Sequence, residues 1–136
     1  MVSIQHGNLE PIVVAVFGSD GSLLVGKTDI KLKIRRQSTD EYFDWSDNTF
    51  KAGAAVVQLL QVLDEVSGVY SPGEYRLNSV LHVNGFDTSL IANPLDEDVY
   101  YVSIVQDGGT DVANLPMYDE IKIATFVVAD HTPISL

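Results

Sequence analysis

One stretch decides the fold of this chain: Asp29-Ile-Lys-Leu-Lys-Ile-Arg-Arg36, followed by Gln37-Ser-Thr-Asp-Glu-Tyr-Phe-Asp-Trp45. In its first half three aliphatic residues alternate strictly with three cations, and a period of two is typical of a strand with one buried face. The Ser-Thr-Asp group predicts a turn, and the aromatic residues after it predict a returning strand. The stretch therefore predicts a β-hairpin whose outer face carries Lys31, Lys33 and Arg35.

Short apolar or alternating runs continue this pattern along the chain. Further strands are predicted at residues 11–17, 75–83, 99–106 and 120–128. Clusters of Gly, Asn, Asp and Ser between the runs predict turns, at residues 18–21, 46–48, 84–85 and 107–111. Because no helices alternate with the strands, the sequence predicts an all-β fold, a single antiparallel β-sandwich of about seven strands.

Residues 52–66 fit two structures. Apolar residues at Val56, Leu59, Leu60 and Leu63 would share one helical face, with polar residues at every third position. The same segment also suits an extended strand, and turns lie on both sides of it. The prediction favours a strand and leaves open one short helix within 52–66.

Length and composition point to one domain. A chain of 136 residues buries roughly two-thirds of its extended surface, which is enough for one core. No cysteine is present, which excludes disulfides, thiolate metal sites and cysteine nucleophiles. The first residues lack the basic and apolar regions of a secretion signal, so we expect a protein made in a cytoplasm. The predicted organisation is an N-terminal arm at 1–10, a sandwich domain at 11–129 and a C-terminal tail at 130–136.

The charge is strongly asymmetric. The net charge is −11, yet residues 1–36 carry five cations against three carboxylates, and the remaining hundred residues carry three cations against sixteen. An acidic protein repels phosphate backbones and anionic lipids, so nucleic acid and membranes are poor candidates as partners. The basic strand has two interpretations: it meets the acidic face of a neighbouring copy, or it solvates and guards the sheet.

No residue pattern predicts a reaction. The three histidines, His6, His82 and His131, belong to no metal-binding spacing, and neither a nucleophile elbow nor a phosphate-binding loop is present. Carboxylates cluster at residues 40–47 and 96–98, but so acidic a chain contains chance clusters. We predict no catalytic residues, no cofactor and no metal site. Whether the acidic loops bind calcium, which takes six to eight oxygens, stays open.

Aromatic residues suggest contacts with other molecules. Tyr42, Phe43 and Trp45 lie so close together in one strand that they cannot all face the core, and the neighbours Tyr100 and Tyr101 point to opposite sides of theirs. Tyr and Trp are frequent in binding interfaces. The predicted interface residues are Lys31, Lys33, Arg35, Tyr42, Trp45 and Tyr101.

The chain resembles a class of tailed-bacteriophage virion modules. The resemblance covers residues 10–128 and rests on the hairpin and on four further motifs: Asn48-Thr-Phe-Lys51, Asp64-Glu-Val66, Ser71-Pro-Gly-Glu-Tyr75 and Tyr100-Tyr-Val102. These modules are immunoglobulin-like or prealbumin-like β-sandwiches, found alone or appended to capsid, tail and baseplate proteins. The resemblance thus implies an immunoglobulin-like sandwich and no catalytic residues.

The resemblance also implies a function. We expect a non-enzymatic virion component that decorates or cements the capsid, or serves in the collar, tail or baseplate. Its partners would be other virion proteins, in a homo-oligomer or symmetric array, with sandwich surfaces and terminal arms making the contacts. The alternative is a carbohydrate- or receptor-binding sandwich that uses exposed aromatic residues such as Trp45. The partner, the symmetry and the choice between capsid and tail stay open.

Overall fold

The computed structural model describes residues 2–92, 98–113 and 121–126. They form twelve strands: β1 (Val2–Gln5), β2 (Leu9–Glu10), β3 (Val13–Ala15), β4 (Ile30–Arg36), β5 (Glu41–Asp44), β6 (Thr49–Ala52), β7 (Gln61–Val62), β8 (Asp64–Ser67), β9 (Ser71–Arg76), β10 (Phe86–Asp87), β11 (Asp98–Gln106) and β12 (Ile121–Phe126). Two single 3₁₀ turns, Gly53–Ala55 and Thr88–Leu90, are the helical elements of these ranges. None of the helices described is long and apolar enough to cross a membrane. The prediction of an all-β fold is confirmed.

The strands form one large sheet and two small ones. The large sheet has the order β1-β12-β11-β4-β5-β6, and β7 also pairs with β4. Its pairs are antiparallel except for β1 and β12, which run parallel. A three-stranded sheet has the order β3-β9-β8, and β10 pairs with β2. The arrangement is sandwich-like, with the large sheet as one layer.

The hairpin predicted from the sequence is confirmed. Strand β4 alternates strictly between buried and half-buried residues. Ile30, Leu32 and Ile34 have no exposed surface, and burying an aliphatic side chain of this size contributes about 1.5–3 kcal/mol. Strand β5 returns antiparallel to β4, with Arg35 opposite Tyr42.

The small three-stranded sheet covers the inner side of β4. Tyr75 of β9 is buried in the same apolar cluster as the β4 residues, together with Ile12, Val16 and Leu77, which directly flank β3 and β9. The Tyr75 hydroxyl donates to the Leu24 carbonyl at 2.8 Å and accepts from the Lys27 N–H at 2.9 Å. These two bonds attach the three-stranded sheet to the segment that leads into β4.

Two predicted strands are shorter than expected. At residues 75–83 the prediction is wrong beyond Arg76, where β9 ends and a loop begins. Leu81 and Val83, which a continuous strand would place on the same face as Tyr75 and Leu77, are exposed by 58% and 53%. Strand β3 covers only three of the residues 11–17, and it is the pairing partner of the end of β9. Because β3 begins at Val13, opposite Arg76, the chain after Arg76 has no strand beside it within the described ranges.

Residues 52–66 are extended rather than helical. One 3₁₀ turn, Gly53–Ala55, is followed by irregular chain and by the short strands β7 and β8. The strand preference is thus confirmed in part, because the segment forms two short strands instead of one.

The predicted N-terminal arm contains β1, which pairs with β12, and β2, which pairs with β10. The boundaries of the arm and of the domain stay predictions, and the predicted tail at 130–136 lies outside the described residues.

Candidate functional site on the outer face of the large sheet

Five of the six predicted interface residues lie together on the outer face of the large sheet. Opposed residues of an antiparallel pair point to the same side of the sheet. Arg35 is opposite Tyr42 on one side and Tyr101 on the other, so the three form a row across three strands. The next row along the same face contains Lys33 opposite Ser103, and the third contains Lys31 between Val62 and Val105. We call this surface the basic face, defined by Lys31, Lys33, Arg35, Tyr42 and Tyr101.

Two of the three cations of the basic face lie over its aromatic rings. The Arg35 guanidinium lies 4.7 Å from the centre of the Tyr101 ring, and the Lys33 ammonium lies 5.8 Å from the centre of the Tyr42 ring. Contacts of this kind contribute about 0.5–1 kcal/mol at exposed sites. All five side chains are half-buried, so the long alkyl chains cover apolar surface while the charged groups reach solvent.

Carboxylates engage two of the three cations. Lys31 lies 2.8 Å from the Asp107 carboxylate, and Arg35 lies 3.3 Å from that of Asp40. Both carboxylates are largely exposed, and pairs of this kind contribute about 0–1 kcal/mol. Within the described ranges, Lys33 has no carboxylate within 4 Å. The basic face therefore keeps at least one cation that a partner's carboxylate can meet at small cost.

A loop at residues 53–60 borders the basic face and contributes apolar surface. Its first residue, Gly53, lies against the Tyr42 ring, where an added Cβ would sit 3.7 Å from the nearest ring carbon. Its middle residue, Val57, is exposed by 79%. The basic face therefore combines cations with an apolar border, which is a composition that suits protein contacts.

Asp44 holds this loop in place. Its carboxylate is fully buried and accepts from the Val57 and Gln58 N–H groups at 2.9 and 3.1 Å. It also accepts from the N–H and hydroxyl of Ser46 at 3.0 and 2.6 Å, and from Lys51 at 2.9 Å. Five donors occupy the two oxygens, which is close to their capacity.

The bonds to Asp44 also fix its charge. Burial by itself raises the pKa of this carboxyl, but the hydrogen bonds from the Ser46 hydroxyl, the Val57 N–H and Lys51 outweigh it and hold the pKa well below its usual range. Asp44 is thus an ionised anchor for the loop. It belongs to the acidic cluster at residues 40–47, and its oxygens are already taken by donors that a calcium ion would have to displace.

In the second acidic cluster, residues 96–98, the one described carboxylate is also occupied by hydrogen-bond donors. Asp98 is buried and accepts from the Arg36 Nε at 2.8 Å, from the Ser38 hydroxyl at 2.8 Å and from the Tyr100 hydroxyl at 3.0 Å. Arg36 also donates to the Ala92 carbonyl. The other members of this cluster, residues 96 and 97, lie outside the described residues. In the described part of the chain no three His, Asp or Glu side chains are arranged to hold a metal ion.

Trp45 lies apart from the other interface candidates. It was expected to be an exposed contact residue, but only 7% of its surface is exposed. Its ring packs edge to face against Phe43 at 4.7 Å and against His82 at 4.9 Å. The reason is register: Tyr42 faces outward, so Phe43 faces the core, and Trp45, two residues further on, lies on the same side as Phe43. Trp45 belongs to the core.

Some residues of the site have no signal in the sequence. Ser103, Val62 and Val105 join the basic face only because β11 and β7 flank β4 in this register. Strand β11 lies more than sixty residues away along the chain, so local periodicity does not reveal the neighbour. The anchoring role of Asp44 likewise depends on the path of the 53–60 loop.

The chain matches no family model, and no curated protein or solved structure is significantly similar to it.

Proposed function

We propose that this chain is a non-enzymatic structural module that attaches to neighbouring proteins through its basic face. The resemblance of its motifs to tailed-phage virion modules suggests the setting, a capsid decoration, collar, tail or baseplate component. The partner is another virion protein or a second copy of the chain.

One observation carries the proposal, namely the arrangement of cations and rings on the basic face. Three cations and two tyrosines lie side by side on a regular sheet, in a protein whose net charge is −11. Most of the protein surface repels an acidic partner, whereas this face attracts one. Electrostatic complementarity of this kind sets orientation and association rate more than affinity.

The two buried carboxylates of the acidic clusters are not available as a hydrolytic pair. A glycosidase needs two carboxyl groups about 5–10 Å apart and open to substrate. Asp44 and Asp98 are instead committed to loop anchoring and to Arg36. The alternative of a glycan-binding module loses its main platform, because the Trp45 ring is packed into the core.

The test is the mass of the protein in solution, measured by light scattering over a series of protein and salt concentrations. We expect a defined oligomer that weakens as salt rises, because salt screens the contacts of the basic face. The variant with Lys31, Lys33 and Arg35 all changed to Gln should associate at least tenfold more weakly and lose most of its salt dependence. Lys27→Gln is the matched control, since Lys27 lies before β4 and pairs with Asp111 at 2.9 Å.

Two outcomes would count against the proposal. Assembly that is unchanged in the triple variant removes the basic face from the contact. The virion setting is tested by purifying phage particles from the cell that encodes the chain and identifying their proteins by mass spectrometry. If the chain is absent from these particles, the virion setting is excluded. A monomer at all concentrations restricts the partner to a different protein.

A further inference from the structure

A second surface with charged residues lies on the opposite layer of the sandwich, on the outer side of the three-stranded sheet. Tyr75 of β9 is fully buried, and side chains alternate along a strand, so its neighbours Glu74 and Arg76 point outward. Arg76 is opposite Val13 of β3 and Asp64 of β8, and opposed residues share one side of a sheet. We call this surface the docking face, defined by Val13, Asp64, Glu74 and Arg76.

The docking face carries the two exposed carboxylates that have no partner within the described ranges. These are Asp64 and Glu74, which are exposed and make no ion pair or hydrogen bond through their side chains there. The other exposed carboxylates of these ranges each pair with a cation or accept from a neighbouring hydroxyl or N–H group: Asp20, Asp40, Asp47, Asp107 and Asp111. The two carboxylates of the docking face are therefore available to a partner.

The carboxylates of the docking face are spaced like the cations of the basic face. Lys31, Lys33 and Arg35 alternate along β4, so successive cations start about 6–7 Å apart. Asp64 and Glu74 occupy diagonal positions on two paired strands, which are about 7–8 Å apart. Two carboxylates at this distance can meet two successive cations of the row. Lys33, which has no carboxylate within 4 Å in the described part of the chain, is the central cation of that row.

The cation of the docking face also finds opposite charge on the basic face. Within the described ranges Arg76 has no carboxylate within 4 Å. The row of cations ends in an exposed carboxylate on each side, Asp107 beside Lys31 and Asp40 beside Arg35. Carboxylates thus outnumber cations on the docking face, and cations outnumber carboxylates on the basic face. Complementarity of this kind sets the register of a contact and disfavours wrong partners.

Apolar surface accompanies the charges on both faces. Val13 is exposed by 49% on the docking face, while Val62 on the third row of the basic face is exposed by 37% and Val57 at its border by 79%. Exposed ion pairs contribute little to affinity by themselves, whereas burial of apolar side chains contributes more. The charges therefore orient the contact, and the valines add to its strength.

We infer that the docking face of one copy of this chain binds the basic face of a second copy. The inference rests on the proposed function, because it identifies the partner of the basic face as the chain itself. The two faces belong to opposite layers of the sandwich, so a pair of copies still presents one unused basic face and one unused docking face. Such a head-to-tail contact repeats, and it builds a ring if the rotation closes or a filament if it does not.

The experiment mixes two variants that each lack one face. The basic-face variant changes Lys31, Lys33 and Arg35 to Gln, and the docking-face variant combines Asp64→Asn with Glu74→Gln. Each variant alone should associate roughly tenfold or more weakly than the natural protein. Their equimolar mixture should form a heterodimer of twice the chain mass of 14.9 kDa and nothing larger, because only one intact face of each kind is present per pair. Light scattering and sedimentation equilibrium measure these masses.

A matched control removes two carboxylates that lie off both faces. Asp20→Asn combined with Asp87→Asn changes the net charge by the same amount as the docking-face variant. Each of these carboxylates accepts from the N–H and hydroxyl of the serine two residues further on, at 3.0 and 2.6 Å, and asparagine keeps the accepting oxygen. The control should assemble like the natural protein. Circular dichroism checks that every variant is folded.

Failure of the inference and failure of the proposed function give different results. A natural protein that stays monomeric, or a mixture of folded variants that forms no heterodimer, overturns the inference and leaves a different protein as the partner of the basic face. A docking-face variant that assembles like the natural protein also overturns it, as does a control that loses as much association as the docking-face variant. Unchanged assembly of the basic-face variant overturns the inference and the proposed function together.

Discussion

The two faces of strand β4 arise from the same alternation, but one is buried within this chain and the other is partly exposed. On the inner face Ile30, Leu32 and Ile34 are fully buried, and every contact they make is supplied by this chain. On the outer face the cations make exposed ion pairs and ring contacts, which contribute little. The inner face therefore fixes the fold, whereas the outer face retains interaction energy that a partner can use.

The largest expected contrast is between two adjacent arginines. Arg36 points inward and pairs with buried Asp98 at 2.6 Å, while Arg35 points outward and pairs with exposed Asp40. Arg36→Met leaves a buried carboxylate without its cation and should lower the free energy of unfolding by about 3–5 kcal/mol. Arg35→Met should lower it by less than about 1 kcal/mol. Urea unfolding of both variants measures the difference.

Similar losses in the two arginine variants would contradict the assignment of the faces. So would a larger loss in Arg35→Met, because it would mean that the outer ion pair is the structural one.

The second contrast removes side chains without touching a buried charge. Leu32→Ala creates a cavity in the core and should cost about 2–5 kcal/mol. Lys33→Ala, at the neighbouring position on the outer face, should change stability by about 0.5 kcal/mol or less. Thermal unfolding followed by circular dichroism compares the two. A Lys33→Ala variant as unstable as Leu32→Ala would show that other parts of this chain cover the outer face.

The alternation in β4 is the feature that sequence reasoning handles well. A period of two specifies a strand and its buried side without any knowledge of the neighbours, so the hairpin and the inner face were predictable. The grouping of Lys31, Lys33 and Arg35 on one face follows from the same periodicity. The location of Tyr101 beside them was predicted only as a candidate, because it depends on β11 pairing with β4.

The failures occur where tertiary contacts override local pattern. Residues 77–83 alternate like a strand, yet none of the described strands extends beside them, and His82 turns into the aromatic cluster while Leu81 stays exposed. Trp45 was expected at the surface because three aromatic residues cannot share a strand face. Tyr42 is the residue that faces outward, and Trp45, two residues after Phe43, packs on the inner side beside it.

Asp44 is an exception to the contrast between the two faces, because it lies on the outer side of the large sheet and is nevertheless buried. The 53–60 loop covers it, so its ionisation depends on folding. Its pKa is lower in the folded protein than in the unfolded chain, where it is about 3.9. The unfolded state therefore takes up a proton first, and stability is lost as the pH falls below about 4.

The Asp44→Asn variant tests this contribution. An amide nitrogen would face the donors Lys51 and Val57, so we expect lower stability at pH 7 and about one proton fewer taken up on acid unfolding. The measurement is the slope of unfolding free energy against pH between pH 2 and pH 5. A slope equal to that of the natural protein would show that Asp44 does not titrate with folding.

The smallest expected effect belongs to His82, which is buried although it lies in the loop that follows β9. Burial lowers the pKa of this imidazole in the folded protein below its usual value of about 6.5. Below pH 6.5 the unfolded state binds a proton that the folded state refuses, so stability should decrease from pH 7 to pH 5. His82→Phe keeps a ring beside Phe86 and should remove this decrease, whereas the Lys33→Ala variant should retain it. If the decrease persists in His82→Phe, a group other than His82 is responsible for it.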